Sequence, residues 1–206
     1  MSEILLTGFD PFGGDVRNPS SEACALLDGA DIHGHRVRAL CLPTAFNAAA
    51  LRVLREIARR EPALVIATGL AGDRAQITPE RFAVNFADAR IPDNRGRQPR
   101  ERVIIRGAPL AYASTLPVTR IVERLRQAGI PAAPSLSAGA FVCNELFFRL
   151  RHALEGRKVR AGFIHLPYAS EHVADRPGVP SLPLATLVEG LRIAIEATVP
   201  GTESRR

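Results

Sequence analysis

Lysine is almost absent from this 206-residue chain: Lys158 is the only one among 27 basic side chains. Tryptophan is missing, methionine occurs once and tyrosine twice. The formal charge is nevertheless +6, with a sequence pI near 10.2, and basic surfaces attract polyanions. No aromatic stacking platform, zinc-finger spacing or recognised RNA-binding motif accompanies that charge, which argues against a nucleic-acid partner. The arginines are also dispersed. Arg52, Arg55, Arg59, Arg60, Arg120, Arg124 and Arg126 sit among Glu56, Glu61 and Glu123 on presumed helices, the pattern of solvated helix faces.

Cysteine is scarce too. Cys24, Cys41 and Cys143 are odd in number, unrelated in spacing and without a Cys-x-x-Cys, so neither a disulfide framework nor a structural zinc site is expected. His172 shares no metal-ligand spacing with His165, and no metal or cofactor is expected. No apolar stretch approaches the roughly 20 residues needed to cross a bilayer. The opening Met-Ser-Glu-Ile-Leu-Leu-Thr-Gly has no basic leader and its apolar run breaks at Gly8. The expectation is a cytoplasmic protein without membrane contact.

What is present suits one core. Hydrophobic residues make up 46% and charged residues 23%, the balance of an ordinary globular domain. Apolar runs alternate with helical-period segments, which predicts a single α/β domain over residues 1–200: a twisted, largely parallel mixed sheet with helices on both faces. Strands are predicted at Ile4–Thr7, Arg36–Leu42, Leu64–Thr68, Ala132–Leu136 and Gly162–Leu166. Helices are predicted from Pro19 to Gly29, with Ser20 or Ser21 as cap, and over Ala45–Arg60, Val118–Gln127, Phe141–Leu154 and Leu184–Ala197. Residues 201–206 read as a polar tail. Between Gly69 and Gly107 helical periodicity vanishes, and an irregular segment of that length usually carries function.

Four positions could carry chemistry. Cys143 follows Ser-Ala-Gly-Ala-Phe-Val, where a strand yields to a helix. Unpaired N–H groups and the positive dipole end there can stabilise a thiolate or an oxyanion, although free cysteine also packs well in cores. His165 ends the run Gly-Phe-Ile-His, near a strand's carboxyl edge, where open α/β sheets place their ligands; a hydrogen-bonded core histidine fits the same place. Glu80 and Arg90 are charges among alternating apolar residues, so they need partners, either as a structural ion pair or as site residues. His33, His35, His152 and His172 read as surface residues.

Four motifs in order then resemble the pyroglutamyl peptidase I family of cytoplasmic cysteine peptidases over nearly the whole chain. They are Thr7-Gly-Phe-Asp-Pro-Phe-Gly-Gly14 with Asn18-Pro19, Ile77-Thr-Pro-Glu-Arg81 running into Asp88-Ala-Arg-Ile-Pro-Asp-Asn94, Ser137-Ala-Gly139 leading to Val142-Cys-Asn144, and Gly162-Phe-Ile-His-Leu-Pro-Tyr168. The resemblance implies a nucleophile at Cys143, a general acid and base at His165, and Glu80 as the carboxylate that orients it. It implies Arg90 as an oxyanion ligand and places Phe9, Phe12, Asn18, Thr44, Ile91, Phe141 and Val142 around a pyroglutamyl ring. It further implies pyroglutamyl peptides as substrates and assembly as a homodimer or homotetramer. The short connection before His165, the presence of His172 and the 201–206 tail depart from the family pattern.

Two other readings remain open on the residues. A nucleoside phosphorylase or nucleosidase shares the broad architecture and could use Arg74, Arg81 and Arg90 for phosphate, but leaves the Cys143 and His165 motifs unexplained. A basic nucleic-acid-binding module would show steep salt dependence.

Overall fold

The computed structural model describes residues 2–199; the expected tail at 201–206 lies outside the described residues. The elements are β1 (Ser2–Phe9), α1 (Pro19–Leu26), β2 (Asp31–Ile32), β3 (His35–Leu42), α2 (Ala48–Arg60), β4 (Leu64–Leu70), β5 (Thr78–Pro79), β6 (Phe82–Val84), β7 (Ala111–Ala113), α3 (Val118–Gln127), α4 (Val142–Ala153), β8 (Arg160–Leu166), β9 (Tyr168–Ala169), a 3-10 turn (Ser170–His172), β10 (Ser181–Leu182) and α5 (Leu184–Thr198).

The main sheet has the order β2-β3-β1-β4-β8-β5. Its central pairs, β3 with β1, β1 with β4 and β4 with β8, are parallel, while β2 and β5 attach antiparallel at the edges. The mixed α/β sheet expected from the alternation of elements is therefore present. Its central strands read as continuous apolar runs because both faces are covered. Side chains alternate accordingly: Ile4, Leu6, Leu64, Ile66, Ile164 and Leu166 pack with α1, α3 and α5, whereas Leu5, Val65, Ala67, Ala161 and Phe163 pack with α2 and α4. Phe147, Phe148 and Phe163 are fully buried in the second layer, each contributing about 1.5–3 kcal/mol by removal from water.

Several boundaries depart from the sequence reading. Asn18, not Ser20 or Ser21, caps α1: its Oδ1 accepts from the Ser20 N–H at 3.0 Å and from the Ser20 hydroxyl at 2.8 Å. The helix stops at Leu26, in turns that precede Gly29. Segment 132–136 is not a strand. Pro131 and Pro134 lack the N–H a ladder needs, and only isolated bridges, Ile77 with Ala132 and Glu80 with Ser135, remain. Within 69–107, expected to be irregular, β4 runs on to Leu70 and the short β5 and β6 form. His172, read as a surface residue, has a side chain only 3% exposed, because its Nε2 meets Glu22 Oε2 at 3.1 Å and draws the 3-10 turn onto α1. Among the described residues no helix is long and apolar enough to cross a membrane.

Candidate active site

The site forms where β8 runs between β4 and β5. His165 lies opposite Gly69 on one side and Thr78 on the other. It shares a face with Ala161 and Phe163, so its ring is directed toward the α4 layer, and the Phe163 ring lies 4.8 Å away between centroids. One step beyond β5, the Glu80 N–H donates to the Phe163 carbonyl at 2.9 Å. That bond fixes a wholly buried carboxylate behind the imidazole, with His165 Nδ1 donating to Glu80 Oε1 at 2.7 Å. A hydrogen bond at Nδ1 leaves Nε2 as the proton-accepting nitrogen of the neutral ring.

Burial alone would raise the Glu80 pKa. The hydrogen bond and charge of His165 outweigh it, with smaller pulls from Ser135 and Arg74, and hold the carboxyl below its ordinary value. Glu80 is thus ionised at neutral pH, and the Arg74 guanidinium reaches the same Oε1 at 2.8 Å.

Cys143 is the second residue of α4, after Phe141 in extended conformation as the N-cap. The N–H groups of a first helical turn have no intrahelical partners. The sulfur sits against Gly69: a Cβ at that glycine would lie 2.8 Å from Cys143 Sγ and 3.0 Å from the Phe163 ring. Burial, and then the Glu80 charge, push the Cys143 thiol up to about 12, against the smaller opposing effects of its own backbone N–H and Arg74. At rest the sulfur therefore carries its proton.

Cys143 and His165 line one open cavity of about 880 Å³. Phe12, Arg90, Ile91 and Phe141 line it as well, so these expected substrate-binding residues do gather at one place. The Phe12 and Phe141 rings lie 6.0 Å apart, and Phe46 meets Phe141 edge-on at 5.4 Å. Phe9, Asn18, Thr44 and Val142 do not line the cavity; all four are buried. Asn18 Nδ2 and Thr44 Oγ1 both donate to the Asp10 carbonyl, at 3.1 and 3.0 Å, and the Thr44 N–H donates to Asp10 Oδ1 at 2.6 Å. Their position is that of braces for the loop that carries Phe12.

The sequence reading missed two contributors. Arg74 was weighed only as a phosphate ligand, yet it joins Glu80 and lines the cavity. Gly69 was read only as the start of the irregular segment, and its missing side chain makes room for the sulfur. Asn144, next to the thiol, anchors α4 by accepting from the Val84 N–H at 2.9 Å and donating to the carbonyls of Val84 and Phe86.

A thiol at a helix start and an imidazole held by a buried carboxylate, lining one cavity at the carboxyl edge of a parallel sheet, form an arrangement that α/β thiol hydrolases use. The sequence profile of the pyroglutamyl peptidase family matches residues 2–200. The chain is 50% identical over 194 residues to a pyrrolidone-carboxylate peptidase of Bacillus licheniformis, covering 93% of this chain and 90% of that protein. It is 49% identical over 209 residues to pyrrolidone-carboxylate peptidase 1 of Ralstonia nicotianae, covering 100% and 97%. The crystal structure of pyroglutamyl peptidase I from Bacillus amyloliquefaciens superposes with a TM-score of 0.92 at 43% identity, over 96% of this chain and 94% of that one. Pyrrolidone carboxyl peptidase from Thermococcus litoralis gives 0.93 at 39% identity, over 96% and 93%. This chain belongs to the pyroglutamyl peptidase family.

Proposed function

We propose that this protein hydrolyses the peptide bond after an N-terminal L-pyroglutamyl residue and releases 5-oxoproline, with Cys143 as nucleophile, His165 as acid and base, and Glu80 as the carboxylate that orients it. The observation that carries this reading is the His165–Glu80 hydrogen bond of 2.7 Å beside a thiol on the same cavity, in a chain of this family.

A thiol pushed up to about 12 does not ionise unaided at neutral pH. His165 Nε2 takes its proton as the sulfur attacks the scissile carbonyl, and Glu80 supports the imidazolium that forms. The oxyanion is held by backbone N–H groups at the start of α4, with Arg90 across the cavity as a further donor. Collapse breaks the C–N bond, and the imidazolium gives its proton to the leaving amine. Water then loses a proton to His165 and attacks the thioester carbonyl. Cleavage of the C–S bond frees 5-oxoproline, and the sulfur recovers the proton from His165.

The pyroglutamyl ring is a neutral lactam without an ammonium group to anchor. Phe12, Ile91 and Phe141 offer it an apolar wall, and Asn18 and Thr44 brace the loop that carries Phe12. A site that hydrogen-bonds the lactam oxygen rejects proline, which lacks it, by leaving a donor unpaired.

The test is release of a fluorescent amine from its L-pyroglutamyl amide, beside the L-prolyl amide. Turnover of the pyroglutamyl compound alone, abolished by iodoacetamide, supports the assignment. Folded, reduced protein that cleaves neither amide would overturn it.

A further inference from the structure

Glu80 Oε1 serves two donors at once. It accepts from His165 Nδ1 at 2.7 Å and from Arg74 Nη1 at 2.8 Å, while Oε2 has no hydrogen-bond partner among the described residues. Arg74 comes from the turn after β4 and is held by Thr78 Oγ1 at 2.5 Å and the Ser137 carbonyl at 3.5 Å. Its side chain is 28% exposed and lines the cavity, whereas Glu80 is wholly buried. A guanidinium on the very oxygen that grips the imidazole competes with it for the same lone pairs, and its positive charge opposes a second positive charge on the ring.

We infer that Arg74 is a positioning residue which, through Glu80, limits how strongly the site holds a protonated His165 and so keeps the ring available to accept the Cys143 proton. The inference rests on the reading of the previous subsection, in which His165 acts first as a base. A lone buried carboxylate would favour the imidazolium, which cannot take a proton from sulfur; Arg74 offsets that pull without removing the hydrogen bond that aims the ring. Among the described residues, Glu80 is bonded to the imidazole and Arg74 to Glu80, the uncharged Phe163 ring lies beside it, and Cys143 from α4 lines the same cavity. Asp15, Asp73, Asp88 and Arg90 are the remaining charges on the shared cavity, and Asp15 is already engaged by Tyr168 at 2.6 Å and Arg176 at 3.1 Å.

The experiment follows the titration of the His165 ring by NMR, assigned with His165→Gln, alongside the acid limb of kcat/KM for the pyroglutamyl amide. Arg74→Gln and Arg74→Met each remove the charge, so a folding failure in one leaves the other. The expected result is an upward move of about one pH unit in both midpoint and acid limb, the scale set by one nearby charge partly screened by solvent. Arg74→Lys should restore the wild-type midpoint to within a few tenths of a unit. An arginine that merely anchors its turn would lower kcat/KM without moving the limb, and lysine would not rescue it; either result overturns the inference. If the wild type cleaves no pyroglutamyl amide, the assigned activity falls, while the NMR midpoints still decide the role of Arg74.

Discussion

Replacing Gly69 by alanine perturbs the nucleophile with a single methyl group. The new Cβ would sit 2.8 Å from Cys143 Sγ and 3.0 Å from Phe163 Cζ, and the next nearest ring atom is at 3.3 Å. Phe163 is fully buried and packs on Phe147 at 6.1 Å between centroids, so the ring has little room to retreat. The short Cys143 side chain has one torsion, and relief comes from turning the sulfur away or from shifting the start of α4. Overpacking of this kind costs about 1–3 kcal/mol of stability, and a nucleophile misplaced by about 1 Å loses on the order of 10²-fold in rate. Gly69→Ala should therefore fold, unfold at lower denaturant concentration with an unchanged m-value, and lose about 10²-fold in kcat with a smaller change in KM. Denaturant titration and steady-state kinetics on the pyroglutamyl amide read the two effects separately. Wild-type kcat in a normally stable Gly69→Ala protein would refute the placement of the sulfur.

Cys143→Ser should fold with wild-type stability and lose nearly all turnover, since an alcohol with the same base is a poorer nucleophile; substantial residual rate would remove Cys143 from its role. Glu80→Gln should lose on the order of 10³-fold or more in kcat, by analogy with triads whose carboxylate is neutralised; near-normal kcat would show that the carboxylate does not orient His165. Because the folded-state pKa of Glu80 is lowered, the stability it contributes is present above the ordinary carboxylate pKa and is lost as pH falls through the folded value. Wild type should accordingly lose stability more steeply than Glu80→Gln below about pH 4.5. Cys24 behaves oppositely: burial pushes its thiol up from 9.0 to about 12, so its contribution is complete below pH 9 and declines above it. Unfolding curves above pH 9 should be steeper in pH for wild type than for Cys24→Ala, by up to about 1.4 kcal/mol per pH unit; parallel curves would contradict the burial of that thiol.

The parts of this architecture visible in the sequence are those set by local pattern. Ile4–Thr7, Leu64–Thr68 and Gly162–Leu166 are continuous apolar runs because each strand is covered on both faces, and all three lie in the centre of the sheet. Cys143 could be assigned to a helix start from the small residues before it. The His165–Glu80 pair spans 85 positions, and nothing in the local pattern reports it; only the likeness to the family joined those two residues. The same limit hid Arg74, whose partners depend on β5 pairing antiparallel with β8 through two residues. Segment 132–136 misled because its composition is strand-like while Pro131 before it and Pro134 within it remove the donors. Thr44 and Asn18 were placed around the substrate by the family resemblance alone, and the structure has them brace the loop that carries Phe12 instead of lining the cavity.

The most direct test of the central claim is to titrate the reduced protein with iodoacetamide, map the alkylated peptides and follow pyroglutamyl amide turnover in the same samples. Activity is predicted to fall in one-to-one proportion to carboxamidomethylation of Cys143, with Cys41 modification having no effect on rate. Full turnover by protein alkylated at Cys143, or inactivation that follows Cys41 instead, would contradict the account.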